Sequence, residues 1–483
     1  MQRQADGSYL GAITDENISA IFAGAGDFNR RRLQVGSHTL YLYAIDGLTS
    51  GGDISEFVVK PLLQDTRAQS MTELLERALH STVYNSVAHE CEDLNTVASR
   101  LVNGFSVVLF GQRALAFEDK TGEKRSPSPP QTENTVKGPK DAFTETVRTN
   151  TSLLRRHLRS PDLRLYETQV GRRSLTNVTV AYIEGLTSPE LVERMKARLQ
   201  QIDIDGFLSP SAVEEYVTGS RLTPFPLLQH TERTDRFAQG LLEGRVGLLV
   251  DGLPLGYLAP VDLGYFMTSP EDRGVDLFSA TFLRFLRYAA LFLGLLLPAL
   301  YVAMAAYHPQ MLPTQLLLSV IESKQAVPFP TILEVLGLLC AFELLQEASI
   351  ALPSSIGQSL SIIGGLVVGS AAVEAKLISP VALIVVAAAG ISGFALPGRG
   401  FAAALRLWRL LLAVLASLGG LFGLSFGFLC LLVHLAGLKS LGVSYLAPFS
   451  RVGGLRAIVR RRLKKENFRD PHLHPLDYKN QKN

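Results

Sequence analysis

The C-terminal half of the chain is a series of long apolar segments, and this feature constrains the fold most strongly. The stretch from Pro328 to Pro397 consists almost entirely of apolar residues, glycine, alanine and serine. A helix crosses a bilayer when roughly 20 consecutive residues are mostly apolar, because the hydrocarbon offers no water to the backbone. The sequence therefore predicts an all-α polytopic membrane domain, which we place at residues 277–440.

Several segments in this half approach membrane length. They are Tyr288–Tyr307, Thr331–Ile350, Ile356–Ala375, Val381–Leu396 and Leu410–Leu438. The last is too long for one straight span, and Gly419-Gly420 inside it predicts either a hairpin or a kink. We expect about four to six crossings. Because basic residues flank the domain at both ends, both ends should be cytoplasmic and the number of crossings even. Six crossings are consistent with a cytoplasmic position of Arg399 to Arg409. Four are consistent with a segment Thr331–Ile350 that enters the membrane and leaves it on the same side.

The N-terminal half has the mixed pattern of an α/β domain, and it indicates two similar lobes. One predicted strand is followed by Asp46-Gly-Leu-Thr-Ser50 and a later one by Glu184-Gly-Leu-Thr-Ser188. A second pair of similar turns, at Gly104 and Gly244, recurs at nearly the same separation. Two matches at nearly one separation favour an internal duplication, although an acidic residue followed by glycine is common after strands.

These patterns predict the boundaries of the domains. We expect a polar tail at 1–35, a first lobe at 36–125, a proline-rich linker at 126–135, a second lobe at 136–276, the membrane domain at 277–440 and a basic tail at 441–483. The N-terminus has no apolar segment typical of a secretory signal, so the soluble lobes should stay in the cytoplasm. The basic tail should lie there as well.

Composition and motifs argue against several classes of function. The net charge of +3 is too small to indicate nucleic-acid binding. The three cysteines are scattered and no histidines have metal-ligand spacing, so we expect no metal and no cofactor. Gly423-Leu-Ser-Phe-Gly427 matches the G-x-S-x-G motif, but it lies in an apolar helix rather than a strand-to-helix turn. We therefore do not expect an enzyme.

Three acids interrupt the apolar segments, namely Glu334, Glu343 and Glu347. Glu343 and Glu347 are four residues apart and share a helix face, whereas Glu334 lies nearly opposite. A charge at mid-membrane costs about 2.5–3.5 kcal/mol on insertion scales. The acids should therefore face protein, water or each other, unless the segment is only partly embedded.

A narrow stripe of small and polar residues runs along the segment Ile356–Ala375. Gln358, Ser361, Gly365 and Gly369 recur in this stripe at steps of three or four residues. Such a stripe either permits close packing of helices, which is its more frequent use, or faces a water-filled pathway. The residues alone leave both interpretations open.

Many short stretches between about residues 38 and 450 resemble the GerA family of spore germination proteins, and more narrowly the A subunit of nutrient germinant receptors. The stretches that carry the resemblance are Asn134–Phe143, Arg148–Thr151, Arg155-Arg156, Val170–Arg173, Tyr182–Gly185, Val250–Gly252, Ala259-Pro260, Ser269–Asp272, Leu286–Tyr288, Leu297-Pro298, Val327–Pro330, Leu352-Pro353, Ile356–Gln358, Ile363–Leu366 and Ala371–Ala375. The paralogue stage V sporulation protein AF shares these motifs.

The resemblance implies a multi-pass protein of the spore inner membrane with B and C partner subunits, in which nutrient binds mainly to the B subunit. It implies a homo-oligomer around a pore that passes monovalent cations when germinant binds. On that basis we expect Gln358, Ser361, Gly365 and Gly369 to line the pore, with Glu374 at one mouth. The alternatives are an accessory or scaffold protein of germination like the stage V paralogue, or a secondary transporter that uses the acids from Glu334 to Glu347 as a relay.

Overall fold

The chain divides into an α/β unit and a helical unit in a computed structural model. The α/β unit comprises Met1–Ser220, Leu228–Pro260 and Leu463–Asn483, and the helical unit comprises Arg221–Leu227 and Val261–Arg462. The structure describes residues 8–120 except 66 and 86, 138–219, 223–351, 369–447 and 471–477, with 2–3, 130, 133 and 449. The predicted linker at 126–135 and three residues of the predicted pore stripe therefore lie outside, or almost wholly outside, the described residues.

The first sheet of the α/β unit has five antiparallel strands with helices on both faces. Its strands are β3 (Phe28–Val35), β4 (His38–Ile45), β5 (Ala88–Cys91), β6 (Phe105–Phe110) and β7 (Arg113–Glu118), in the order β3-β4-β6-β7-β5. A short pair, β1 (Gln2–Arg3) and β2 (Tyr9–Leu10), precedes them. Alternate residues of β4 join two separate apolar cores: Tyr43 and Ile45 lie in one, and Leu40 and Leu42 in the other. Burial of both faces explains why β6 is apolar except for Ser106.

The helices around the first sheet fill these two cores. They are α1 (Asp15–Ile21), α2 (Gly51–Asp53), α3 (Lys60–Gln64), α4 (Met71–Arg77) and α5 (Leu94–Val102), with π-helical turns at Ile54–Val59 and Ala78–Thr82. Caps define several of their starts; the Asp93 side chain, for example, accepts the Thr96 N–H at 2.7 Å before α5. The strand β5 lies between α4 and α5 along the chain.

The second sheet has the same order of elements along the chain as the first. Its strands are β8 (Leu163–Val170), β9 (Thr176–Ile183), β10 (Gln229–Thr231), β11 (Val246–Val250) and β12 (Gly256–Ala259), in the spatial order β8-β9-β11-β12-β10. The helices are α6 (Val147–His157), α7 (Pro189–Gln200), α8 (Pro210–Thr218) and α9 (Thr234–Leu242). Each strand of the first sheet thus has a counterpart at the equivalent place in the second.

A buried ion pair joins the elements of the two sheets. Arg155 of α6 is fully buried, and its Nε and Nη2 lie 2.7 and 2.8 Å from the carboxylate oxygens of Asp27, just before β3. Beside it the Gly26 N–H donates to the Leu165 carbonyl at 2.7 Å. A Cβ on Gly26 would lie 2.9 Å from that oxygen, so this approach requires glycine. The two sheets therefore form one unit.

The helical unit consists mainly of helices, which range from 4 to 39 residues. They are α10 (Leu263–Phe266), α11 (Leu277–Ala306), α12 (Thr314–Lys324), α13 (Thr331–Ala351), α14 (Pro380–Phe394) and α15 (Arg399–Gly437), with 3-10 turns at Pro270–Arg273 and Pro309–Met311 and a short pair of strands, β13 (Lys439–Ser440) and β14 (Val443–Ser444). Of the helices in the described residues, α11 and α15 are long and apolar enough to cross a membrane. The α11 helix packs most extensively on α15 and α14.

The α15 segment is a helical hairpin. Gly419 and Gly420 have non-helical backbone angles, and Gly420 has a φ of +57°. Trp408 and His434 would be far apart along one straight helix, yet their ring centroids are 5.8 Å apart. A Cβ on Gly423 would collide with the Leu415 carbonyl oxygen, so the two arms touch through glycine. Of the two predicted possibilities, a hairpin or a kink, the structure has the hairpin.

The first and last residues of the helical unit lie together. The Leu263 N–H donates to the Tyr445 carbonyl at 2.9 Å, and the Val261 N–H donates to Ser440 Oγ at 3.0 Å. The rings of Phe266 and Phe401 stack at 5.7 Å, which brings the start of α15 to the same end. The chain therefore begins and finishes its helical part at one end of the bundle.

Two predicted boundaries are wrong. The polar tail expected at 1–35 contains α1 and β3, and Ile18 and Ile21 are buried in the first core. The strand β3 is an edge strand with mostly exposed polar side chains, and for that reason its sequence resembles a tail. The basic tail expected at 441–483 is not a free tail throughout, because Leu473 is buried within the α/β unit.

Candidate functional site: buried charges of the helical unit

Glu334 lies in the first turn of α13 and is 2% exposed. Its Oε2 accepts the backbone N–H of Ser379 at 2.9 Å, and Ser379 is the N-cap of α14. The Lys324 ammonium of α12 lies 3.4 Å from Oε1. The positive end of the α14 dipole adds a further favourable interaction. The carboxylate thus links α12, α13 and α14 and its charge is balanced within the protein.

Glu343 lies in the middle of α13 and binds two arginines of the first arm of α15. Its Oε2 is 2.9 Å from Arg406 Nη1, and its Oε1 is 2.9 Å from Arg409 Nη2. Arg409 is 5% exposed, and Arg406 also donates to Gln346. One carboxylate therefore balances part of the charge of Arg406 and of the buried Arg409, and a buried guanidinium group requires such a partner.

Glu347 differs from the other two acids. It lies one turn beyond Glu343 and its side chain is exposed, and it has no ion pair with any described residue. Glu343 and Glu347 were expected to share a face, yet only Glu343 meets the arginines. This difference provides a matched pair of acids for experiment.

A small cavity lies beside the arginine pair. It is lined by Ala290, Gly294, Ala389 and Gly393, together with Arg409. The small side chains leave this space between α11, α14 and the first arm of α15. The last turn of α14 therefore lies beside the middle of α11.

Two of the predicted pore residues are described. Gly369 is buried, and a Cβ there would lie 3.4 Å from Leu383 of α14, so Gly369 contacts a helix. Glu374 is exposed and lies five residues before the N-cap of α14. Gln358, Ser361 and Gly365 lie outside the described residues.

Asp272 forms an ion-pair cluster at the base of α11 that sequence reasoning missed. Arg287 binds both its oxygens at 2.8 Å, and Arg284 Nε lies 3.2 Å from Oδ2. Burial alone raises the pKa of Asp272, but the bonds with Arg287 and Arg284 outweigh it and hold the pKa below its ordinary value. Asp272 also accepts the Ser269 N–H, which completes a capping box. The spacing Ser269-Pro-Glu-Asp272 was the available signal.

The α/β unit contains a half-buried cluster with a histidine. His157 Nε2 lies 2.7 Å from Asp141 Oδ2 and 2.9 Å from Thr234 Oγ1. The bond with Asp141 raises the pKa of His157, and the reciprocal bond lowers the pKa of Asp141 to about 2. Within the described part of the chain, no group of three or more metal-ligating side chains is arranged to hold a metal ion.

Comparison with known proteins identifies the family. Residues 16–472 match the model of the Bacillus/Clostridium GerA spore germination protein. The chain is 36% identical to the uncharacterized membrane protein YfkQ of Bacillus subtilis (strain 168) over 90% of this chain and 86% of that protein. It is 35% identical to spore germination protein KA of the same organism, over 89% of this chain and 80% of that protein.

Two further similarities are found. The chain is 33% identical to spore germination protein A1 of Bacillus subtilis (strain 168), over 87% of this chain and 86% of that protein. It is 29% identical to the crystal structure of the N-terminal domain of the A subunit of the Bacillus megaterium spore germinant receptor GerK3, with a TM-score of 0.41, over 52% of this chain and 96% of that domain. The chain therefore belongs to the GerA family of spore germination proteins.

Proposed function

We propose that this chain is the A-type subunit of a nutrient germinant receptor in the spore inner membrane. The observation that carries the proposal is the match to spore germination proteins along both the soluble and the membrane part, since it covers 16–472. The B and C subunits would be its partners, with nutrient bound mainly by B. The soluble part would consist of two copies of one duplicated unit, a view supported by the equal strand orders of the two sheets.

We infer six membrane crossings. The α11 helix ends at the hairpin tip of α15, where the Tyr307 hydroxyl donates to the Ser417 carbonyl at 2.7 Å, so α11 and the two arms account for three crossings. The starts of α13 and α14 lie together at Glu334 and Ser379. Both helices therefore run in the same direction, and we propose that the span predicted at Ile356–Ala375 crosses between them. Three crossings from α13 to α14 bring the total to six.

The orientation follows from the charges and from the chain ends. The bundle begins and finishes at one face, where Leu263 meets Tyr445. Arg284 and Arg287 lie near that face, although Asp272 balances part of their charge. Positive flanks favour the cytoplasmic side, so the α/β unit and the C-terminal residues would both be cytoplasmic.

We further propose that several copies assemble around a pore for monovalent cations, with Gln358, Ser361 and Gly365 towards the axis, Gly369 at the packed edge of that stripe and Glu374 at the outer mouth. Uncharged small side chains leave room for a hydrated ion, and an acidic ring attracts cations. The ion pairs of Glu334 and Glu343 favour the pore over a secondary transporter. An acid that relays ions must be able to release its partner, whereas both of these acids are paired with basic residues of the protein.

The experiment is cation release from spores that carry the chain as their A subunit. Ser361→Leu and Gly365→Leu should abolish nutrient-triggered potassium release at normal protein level, because a bulky apolar side chain would fill the pore. Ala371→Leu is the control, since Ala371 is exposed and lies off the stripe. Potassium release equal to that of the unaltered chain in both pore variants would remove the pore assignment. A scaffold role predicts that result.

A further inference from the structure

The C-terminal residues 471–477 pack against the second sheet. Leu473 is 1% exposed and Pro475 is buried, whereas Leu476 is 57% exposed. The Leu476 N–H donates to the Leu186 carbonyl at 2.8 Å. Pro475 lies against Gly244, where an added Cβ would meet it at 3.4 Å. This contact includes one buried leucine, one proline and one backbone hydrogen bond.

The equivalent place in the first sheet is filled by a different part of the chain. The counterparts of Leu186 and Gly244 are Leu48 and Gly104, as the repeated turns of the sequence indicate. A Cβ on Gly104 would lie 3.0 Å from Lys120 and 3.1 Å from the Leu48 carbonyl. The Ser50 N–H donates to the Asp119 carbonyl at 2.8 Å. In the first sheet, the residues that directly follow β7 therefore fill this groove.

In the second sheet, the residues that follow the last strand β12 do not fill the equivalent groove. The strand β12 ends at Ala259, and Pro260 is the last residue of this stretch that belongs to the α/β unit. Val261 already belongs to the helical unit, where its N–H binds Ser440. The chain thus departs at the point where the first sheet continues across the groove. The groove of the second sheet is filled instead by residues from position 471 onward, more than 200 positions after residue 261.

We propose that this groove, at Leu186 and Gly244, is a peptide-binding site whose ligand is the chain's own C-terminal segment 471–477. The segment contributes a leucine that is buried, a proline that packs on glycine and a backbone N–H that directly follows that proline. The segment replaces the strand continuation that the second sheet lacks. It acts as a latch that binds the soluble unit only after the whole helical unit has been made.

The latch has a consequence for the assembled protein. It closes a loop that contains every proposed membrane crossing, because the α/β unit precedes the helical unit and the latch follows it. Closure of that loop requires both ends of the helical unit to be on the same side of the membrane. This inference concerns the α/β unit itself and does not depend on ion passage.

The test uses the full chain and a chain that ends at Asp470, both purified in detergent, with a fluorescein-labelled peptide of residues 468–479. Anisotropy should detect saturable binding to the truncated chain, and at least about tenfold weaker binding to the full chain, whose groove is occupied. Should the truncated chain not fold, the full chain with Leu473→Asp supplies the open groove, because burial of the charge displaces the latch.

Peptide variants distinguish the proposed contacts from nonspecific binding. Leu473→Asp in the peptide should weaken binding at least about tenfold, since a buried leucine is replaced by a charge. Leu476→Pro should also weaken it, because proline removes the donor to Leu186. Leu476→Ser is the matched control and should bind within about threefold of the native peptide, because that side chain is exposed. Equal binding to the full chain and the open groove, equal binding of the Leu473→Asp peptide, or no binding to either open form would overturn the proposal.

Discussion

Replacement of Glu343 by glutamine removes one negative charge from α13 while it changes the shape of the side chain little. In the unaltered chain this carboxylate is the partner of both Arg406 and Arg409. The variant therefore leaves two guanidinium groups with only neutral acceptors among the described residues around them. Arg409 is the more affected, because its side chain is 6% exposed.

The magnitude follows from the burial of the partners. Loss of one member of a buried ion pair costs about 3–5 kcal/mol, because the other charge stays buried. The amide oxygen of glutamine keeps one acceptor, which returns about 1 kcal/mol. Arg406 reduces the cost further, since its side chain is 32% exposed and can reach water or headgroups. We therefore expect a loss of about 3 kcal/mol, which for a unit of this size lowers the midpoint of thermal unfolding by about 6–12 °C.

The assay is thermal unfolding of the purified chain in detergent, followed by the fraction that remains monodisperse after heating. Glu347→Gln is the matched control, because it is the same substitution one turn away at an exposed side chain. It should shift the midpoint by less than about 2 °C. A double variant, Glu343→Gln with Arg409→Gln, should be less unstable than the sum of the two single variants.

The reasoning is refuted if Glu343→Gln unfolds at the same temperature as Glu347→Gln. That result would mean that Glu343 is not held by the arginines in the folded protein. A stable Glu343→Gln chain that also loses cation transport would instead favour an ion relay, which is the alternative that the ion pairs argue against.

Three further predictions concern other parts of the fold. Arg155→Met should destabilise the α/β unit by about 3–5 kcal/mol, since it leaves Asp27 buried without its partner, whereas exposed Arg156→Met should have little effect in the same protease-resistance assay. His157→Gln should lower the free energy of unfolding most between about pH 4 and 6.5, where His157 is charged and pairs with the Asp141 carboxylate. This loss should shrink as the pH rises through the raised pKa of His157. Urea unfolding at several pH values tests the prediction. Gly423→Ala should lower the yield of folded protein, since a Cβ there meets the Leu415 carbonyl, while Gly437→Ala, where nothing lies within 4 Å, should not.

Local patterns predicted much of the fold where neighbours in sequence decide the structure. The hairpin of β6 and β7 about Gly111, for example, corresponds to two apolar runs that flank a turn. The edge strand β3 was missed because most of its side chains, Arg31 and Arg32 among them, face water and need not be apolar. Burial on one face only leaves a weak signal in the sequence.

The site could be predicted only in part for a similar reason. Glu334 and Glu343 were recognised as acids that need partners, because charge in an apolar helix is costly. The identity of those partners, Lys324 and the pair at Arg406 and Arg409, depends on which helices are neighbours. Nothing in the spacing of one helix determines that choice, since α14 lies between α13 and the arginine arm along the chain.

Cysteine accessibility on the two sides of the membrane tests the six-crossing arrangement most directly. Single cysteines would be placed at exposed positions in a chain without Cys91, Cys340 and Cys430: at Arg156 in the α/β unit, at Gln310 after α11, at Lys376 before α14 and at Leu476 in the latch. In inside-out vesicles a membrane-impermeant maleimide should label positions 156 and 476 and leave 310 and 376 unlabelled. Labelling of 156 and 476 from opposite sides, or of 310 from the same side as 156, would contradict the account.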